Sequence, residues 1–249
     1  MACELFPWYH AALLSVTREA MIEVDRLMTE SYQIALIQMM ENAGRSLAHL
    51  ARLRFLEGEP TGKNVVILAG TGGNGGGALV CARRLHTWGA RVQIVTTRPR
   101  EHFSPTAAHQ LASAQHMQIP LVSPDAITQV DSPVLIIDGL VGYRLQGNPR
   151  GSVADLIRWA NAQPCPILSL DLPSGIDATT GAIGDPAIRA TATMTLALPK
   201  TGLCVPDVAT YVGELYLADI SVPPALYTVP PFALSVPPLF AQSELLRLR

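Results

Sequence analysis

The sequence predicts a three-layer αβα sandwich, with a mainly parallel sheet and extra helices at its N-terminal side. Three observations carry this. Short, continuous apolar runs alternate with stretches of helical periodicity, the signature of βαβ units whose strands are covered on both faces. The 249 residues are 49% hydrophobic and 15% charged, well below the roughly 25% charge of an average domain. That composition excludes intrinsic disorder. The formal net charge of −2 supplies no basic field for nucleic acid or an anionic membrane, so neither is expected as a partner.

In chain order, residues 17–55 read as helix, with Ile22, Leu27, Leu36, Met39, Met40, Leu47 and Leu50 at helical spacing and an interruption at 29–31. Pro60, between Gly58 and Gly62, breaks the chain. Residues 64–69 (Asn-Val-Val-Ile-Leu-Ala) are the first strand, followed by a glycine loop and a helix over 78–88. Strands follow at 91–95, 134–137, 166–170, 191–198 and 213–217, with helices at 105–116 and 153–162. This is one Rossmann-like domain over 1–221, followed by a proline-rich tail over 222–249. The tail repeats Val-Pro-Pro from Val222, Val229 and Val236. It reads as an extended, polyproline-like segment. The charge-free run 220–243 is long enough to span a bilayer, but its proline pairs remove backbone donors and rule out a spanning helix. Glu4 and the lack of a basic start leading into a clean apolar run argue against a secretory leader. Cys3, Cys81, Cys165 and Cys204 are scattered without a Cys-x-x-Cys pair, consistent with reduced thiols in the cytoplasm.

In an open parallel sheet, ligands bind outside the carboxyl ends of the strands, so the residues after each strand carry the functional argument. After the first comes Gly70-Thr-Gly-Gly-Asn-Gly-Gly-Gly77; after the third long run, Asp138 with Gly142-Tyr143-Arg144; after the fourth, Asp171-Leu-Pro-Ser174-Gly. Gly70, Gly72 and Gly75 fit Gly-x-Gly-x-x-Gly, whose backbone N–H groups suit a phosphate. The second strand ends Thr96-Thr97-Arg98 with no acid to hold a ribose, leaving open an NADP-type site built on Arg98. The Lys-Ser/Thr of a Walker loop and the Gly-x-Ser-x-Gly elbow are absent, which disfavours ATPase and triad-hydrolase chemistry. Asn74, Asp138 and Ser174 offer hard oxygen ligands and no thiolate, a set for an alkali or alkaline-earth cation. His10, His49, His86, His102, His109 and His116 show no metal-ligand spacing.

The order of Met40-Glu-Asn-Ala-Gly-Arg45, the loop 70–77, Asp138 with Gly142, Leu170-Asp-Leu-Pro-Ser-Gly175 and Leu198-Pro-Lys200 with Gly202 resembles the NAD(P)H-hydrate epimerases, the YjeF N-terminal domain family, over 16–223. The resemblance implies an isomerase that interconverts the R and S forms of NADHX and NADPHX in metabolite repair, often as a homodimer and alongside a separate dehydratase. It implies K+ at Asn74, Asp138 and Ser174, and substrate at Gly73, Asn74, Gly75, Gly76, Gly77, Gly142, Tyr143, Arg144, Leu145, Gln146, Gly147, Asn148 and Asp171. Asp171 is expected to act as acid and base in catalysis, with Asp138 holding the cation and orienting the substrate. The family loop usually reads Asn-Asn-Gly-Gly-Asp, and this chain has Gly73 and Gly77 at its two ends. That departure is the feature favouring a second reading, a nucleotide-binding or interaction module without turnover. A third is an NADP-dependent oxidoreductase that uses Arg98.

Overall fold

A computed structural model describes residues 6–9 and 14–249. Two helices, α1 (Arg18–Glu30) and α2 (Leu36–Phe55), precede β1 (Asn64–Ala69), α3 (Gly73–Thr87), β2 (Arg91–Thr96), α4 (Pro105–His116), β3 (Leu121–Val122), β4 (Leu135–Gly139) and α5 (Ser152–Asn161). β5 (Ile167–Leu170), β6 (Ala192–Leu196), α6 (Ala209–Val212), β7 (Glu214–Ala218), α7 (Pro224–Thr228) and β8 (Leu245–Arg247) complete the chain. The eight strands form one sheet in the order β3-β2-β1-β4-β5-β6-β7-β8, parallel throughout except for β7–β8. The order reverses direction between β1 and β4, the switch point at which such sheets open a crevice.

The strands read as apolar runs because both faces are covered. Val65, Ile67, Ala69, Leu135 and Ile137 pack on the side of α2, α3 and α4, whereas Val66, Leu68 and Ile136 pack against Leu156, Ile157 and Ala160 of α5. α1 is capped by Thr17, whose hydroxyl accepts from the Ala20 N–H, and it buries Met21, Val24 and Met28.

α3 begins at Gly73, five residues before the expected start at 78. Glycine is a poor helix former, but here close packing demands it. A Cβ on Gly75 would sit 1.8 Å from the Gly70 carbonyl oxygen, one on Gly76 2.6 Å from Met40 Sδ, and one on Gly77 2.8 Å from Leu170 Cδ2. Gly44 on α2 meets Val80 and the Gly77 carbonyl in the same way. The glycines draw α3 onto α2 and the sheet edge, and the close packing this permits outweighs the loss of local helical preference.

The proline-rich segment ends in β8, which pairs Leu246 with Leu217 and Leu245 with Ala218, so the last residues extend the sheet. Among the described residues, no helix is long and apolar enough to cross a membrane. Cys81 is buried, Cys165 half-buried and Cys204 exposed, all as free thiols; Cys3 and His10 lie outside the described residues.

Candidate active site

The carboxyl ends of β1, β2, β4, β5 and β6 open into a cavity of about 440 Å³. Its wall includes Gly70, Thr71, Gly72, Gly73, Asn74 and Gly77 from the first strand end, Thr97 and Arg98 from the second, and Leu140, Val141, Gly142, Tyr143 and Arg144 beyond β4. Asp171, Lys200 and Ile220 come from the far strands, and Met21, Asp25, Leu36, Met39 and Met40 from the two N-terminal helices. Tyr143 forms part of this wall and leaves the cavity open.

The chain turns sharply where β5 ends. Asp171 has φ +68°, and the Leu172 N–H donates to the Leu170 carbonyl two residues back (2.9 Å), a tight γ-turn. Holding a non-glycine residue there costs about 1–3 kcal/mol, the kind of strain found where a side chain must be aimed. The Asp171 N–H donates to the Met194 carbonyl (2.7 Å), fixing the turn to β6. The Asp171 carboxylate then meets the Lys200 ammonium in an ion pair whose side chains are 4% and 0% exposed. Lys200 donates further to the Leu196 carbonyl (3.0 Å) and lies 3.4 Å from Thr195 Oγ1.

Sequence reasoning assigns Lys200 no chemical role, although a signal exists. It is one of only two lysines in the chain and ends an apolar run, and a fully buried lysine requires a partner.

Asn74 and Asp171 converge on Gly142. A Cβ there would lie 3.2 Å from Asn74 Oδ1 and 3.3 Å from Asp171 Oδ2, so glycine leaves room for the two side chains to face one point. Asp138 and Ser174 lie beneath them, fully buried. One Asp138 oxygen accepts from Ser174 Oγ (2.6 Å) and the Leu140 N–H (3.2 Å); the other accepts from Ser169 Oγ (2.8 Å) and the Ser174 N–H (2.9 Å). Burial pushes the Asp138 carboxyl pKa up, and these hydrogen bonds oppose the shift. Ser174 Oγ also accepts from the Val141 N–H (2.9 Å) and lies 3.2 Å from the Val141 carbonyl.

The structure therefore gathers Asn74, Asp138, Asp171 and Ser174 at one edge, in two tiers. Asn74 and Asp171 line the cavity, whereas Asp138 and Ser174 support it from below. Gly73, Gly77, Gly142, Tyr143 and Arg144 also line it. Gly75 and Gly76 do not, because they lie within α3 against Gly70 and Met40. Leu145, Gln146, Gly147 and Asn148 continue away from the wall: Gln146 lies against the Arg18 guanidinium, and Asn148 accepts from the Asp185 N–H (3.2 Å).

A second carboxylate, Asp25, faces the same cavity. It lies one helical turn after Met21, bordering the buried stripe of Met21, Val24 and Met28 on α1, a spacing that could have revealed it in the sequence. The Tyr143 hydroxyl donates to Asp25, and the Arg144 guanidinium lies 3.8 Å away. Burial raises the Asp25 pKa, and the Tyr143 hydrogen bond opposes that rise. Tyr143→Phe is therefore expected to move the Asp25 pKa further up, measured by NMR titration of the carboxyl carbon. A carboxyl raised on folding contributes stability that is present below its unfolded pKa and lost as pH rises through its folded pKa. The variant's urea midpoint should accordingly fall more between acidic and neutral pH than the parent's.

Comparison with known proteins agrees with this architecture. The chain is 43% identical over 220 residues to the NAD(P)H-hydrate epimerase of Dehalogenimonas lykanthroporepellens, covering 87% of this chain and 86% of that one. It is 34% identical to the enzyme of that name from Rhodopirellula baltica, over 84% of each. It is 35% identical to the bifunctional NAD(P)H-hydrate repair enzyme Nnr of Salinibacter ruber, but spans only 41% of that longer protein. The crystal structure of yeast ynu0, YNL200c, superposes with a TM-score of 0.78 at 25% identity, over 95% of this chain and all of that one. The profile of the YjeF-related protein N-terminus matches residues 36–202, from the start of α2 to just past Lys200, and the chain belongs to that family.

Proposed function

We propose that the chain epimerises hydrated nicotinamide cofactors, interconverting the R and S forms of NADHX and NADPHX. The observation that carries this reading is the buried Asp171–Lys200 pair in the wall of a cavity at the sheet's switch point. In the hydrate, C6 bears a hydroxyl next to the ring nitrogen N1. As the C6–O bond breaks, the N1 lone pair forms the C6=N1 bond, and the Asp171–Lys200 pair supplies the proton that makes the leaving group water. Water then adds to the opposite face of C6 and returns a proton to the pair, so the cycle is balanced. Lys200 keeps the carboxylate aimed and offsets its charge. The open N–H groups at the start of α3, at Gly73 and Asn74, suit the pyrophosphate.

Potassium fits between the two tiers. Asp138 is a fully buried carboxylate whose four partners are all neutral donors, and Ser174 Oγ and the Val141 carbonyl lie beside it as further hard oxygens. A potassium ion held by Asp138, Ser174 and Asn74 would supply positive potential near the substrate. Asp138 does not line the cavity, so it would act on the substrate only through that ion and through Ser174 and the β4 and β5 strand ends, which it positions. Among the described residues, no group of three His, Cys, Asp or Glu could hold a metal. The same reading carries a homodimer and a separate dehydratase that consumes one epimer.

The test is to incubate the protein with a single NADPHX epimer and follow the other by chromatography, with and without potassium. Accelerated interconversion is the expected result; binding without conversion would leave a nucleotide-binding module in place of an enzyme.

A further inference from the structure

The two ends of the cavity differ in chemistry. Asp171 follows β5, and Arg98 lies two residues beyond β2. The sheet order places them three strand spacings apart, roughly 14 Å at about 4.8 Å per strand, with the α3 N-terminus between them. A dinucleotide laid along this edge, with its nicotinamide at Asp171 and its pyrophosphate at Gly73, brings its adenosine ribose to the end of β2. In sheets of this order, that position reads the ribose 2′ group: an acid there accepts from a free hydroxyl, and an arginine accommodates a phosphate.

The strand ends Thr96-Thr97-Arg98, with no carboxylate, and Arg98 is exposed. Of the three cationic side chains lining the cavity, Lys200 is paired with Asp171, and Arg144 lies between Tyr143 and Asp25. Arg98 has no hydrogen bond or ion pair with any described residue, so its guanidinium is free for a ligand. The loop carrying it is held in place: the Thr97 N–H donates to the Ala69 carbonyl (3.1 Å), and Ser152 Oγ donates to the Thr97 carbonyl (2.8 Å). The cation is therefore presented from a fixed backbone.

We infer that Arg98 binds the 2′-phosphate of the adenosine ribose and makes the phosphorylated hydrate, NADPHX, the preferred substrate over NADHX. This rests on the epimerase reading for the identity of the hydrate, but recognition of the 2′-phosphate can be measured without turnover. By calorimetry, 2′,5′-ADP is expected to bind the wild-type protein at least about tenfold more tightly than 5′-AMP, as for a charge-assisted guanidinium–phosphate contact, and Arg98→Ala should erase the difference. In turnover, kcat/KM for NADPHX should fall about 10- to 100-fold in Arg98→Ala while that for NADHX stays within about twofold; Arg98→Lys should keep part of the preference. Equal binding of the two adenosine nucleotides by the wild type would overturn the inference. So would an equal fall for both hydrates, which would place Arg98 on the pyrophosphate. A split between the nucleotides with no epimerisation of either hydrate would sustain the inference about Arg98 and defeat the epimerase reading instead.

Discussion

Asp171→Asn is expected to abolish epimerisation, with a loss of about three orders of magnitude or more, as for removal of a group that both gives and takes the proton. It is also expected to destabilise the fold. Lys200 is fully buried, and among the described residues Asp171 is its sole anionic partner. Removing one member of a buried pair leaves an uncompensated charge and costs about 3–5 kcal/mol. The backbone turn survives the change, because asparagine tolerates positive φ better than most residues. Two effects of different origin thus coincide in one variant, and a second variant separates them. Asp171→Asn combined with Lys200→Met removes the stranded ammonium, so the urea midpoint should recover most of its loss while epimerisation stays absent. Wild-type turnover in either variant would remove Asp171 from the reaction. An undiminished midpoint in the single variant would mean that the pair contributes nothing to the fold.

The parts of this site that are legible in the sequence are those fixed by local pattern. β1, β4 and β5 are mainly apolar runs and β2 is a run broken by Gln93; each is bounded by glycine, proline or polar residues, and side chains beyond such a run fall at the sheet's carboxyl edge by topology alone. Asn74, Asp138, Asp171 and Ser174 are legible in that way. What the sequence hides depends on contacts distant along the chain. Lys200 reaches Asp171 across 29 positions, and Tyr143 reaches Asp25 across 118. The start of α3 escapes the sequence pattern because glycine argues for a loop, whereas Gly44, Met40 and Leu170 make a glycine-faced helix the better packed state. β3 and β8 are two and three residues long, and partner strands define them more than any periodicity of their own. The two tiers of the site are equally invisible in one dimension: Asp138 and Asp171 occupy comparable strand ends, yet only Asp171 reaches the cavity.

That difference sets the expectation for Asp138→Asn. The native carboxylate accepts four hydrogen bonds from Leu140, Ser169 and Ser174, two on each oxygen. An amide keeps one acceptor oxygen and turns its NH₂ toward two donors, so two buried groups lose their acceptor at about 1–3 kcal/mol each. A stability loss of about 2–6 kcal/mol is expected from hydrogen bonding alone. The cation reading adds a result that hydrogen bonding does not produce. Burial holds the Asp138 pKa up, so stability is lost as pH rises through its folded value, and a bound cation offsets that loss. Potassium at about a hundredfold over its dissociation constant would stabilise the wild type by about 2.7 kcal/mol. For a chain of this size that is roughly 5–10 °C in Tm, relative to tetramethylammonium at equal ionic strength. The increment should grow from mildly acidic to mildly alkaline pH and vanish in Asp138→Asn. Ser174→Ala, which keeps the carboxylate and removes one oxygen, should retain a reduced increment. If the parent's Tm is the same in both salts across that pH range, no cation sits at Asp138, and its four hydrogen bonds are the whole of its contribution to the site.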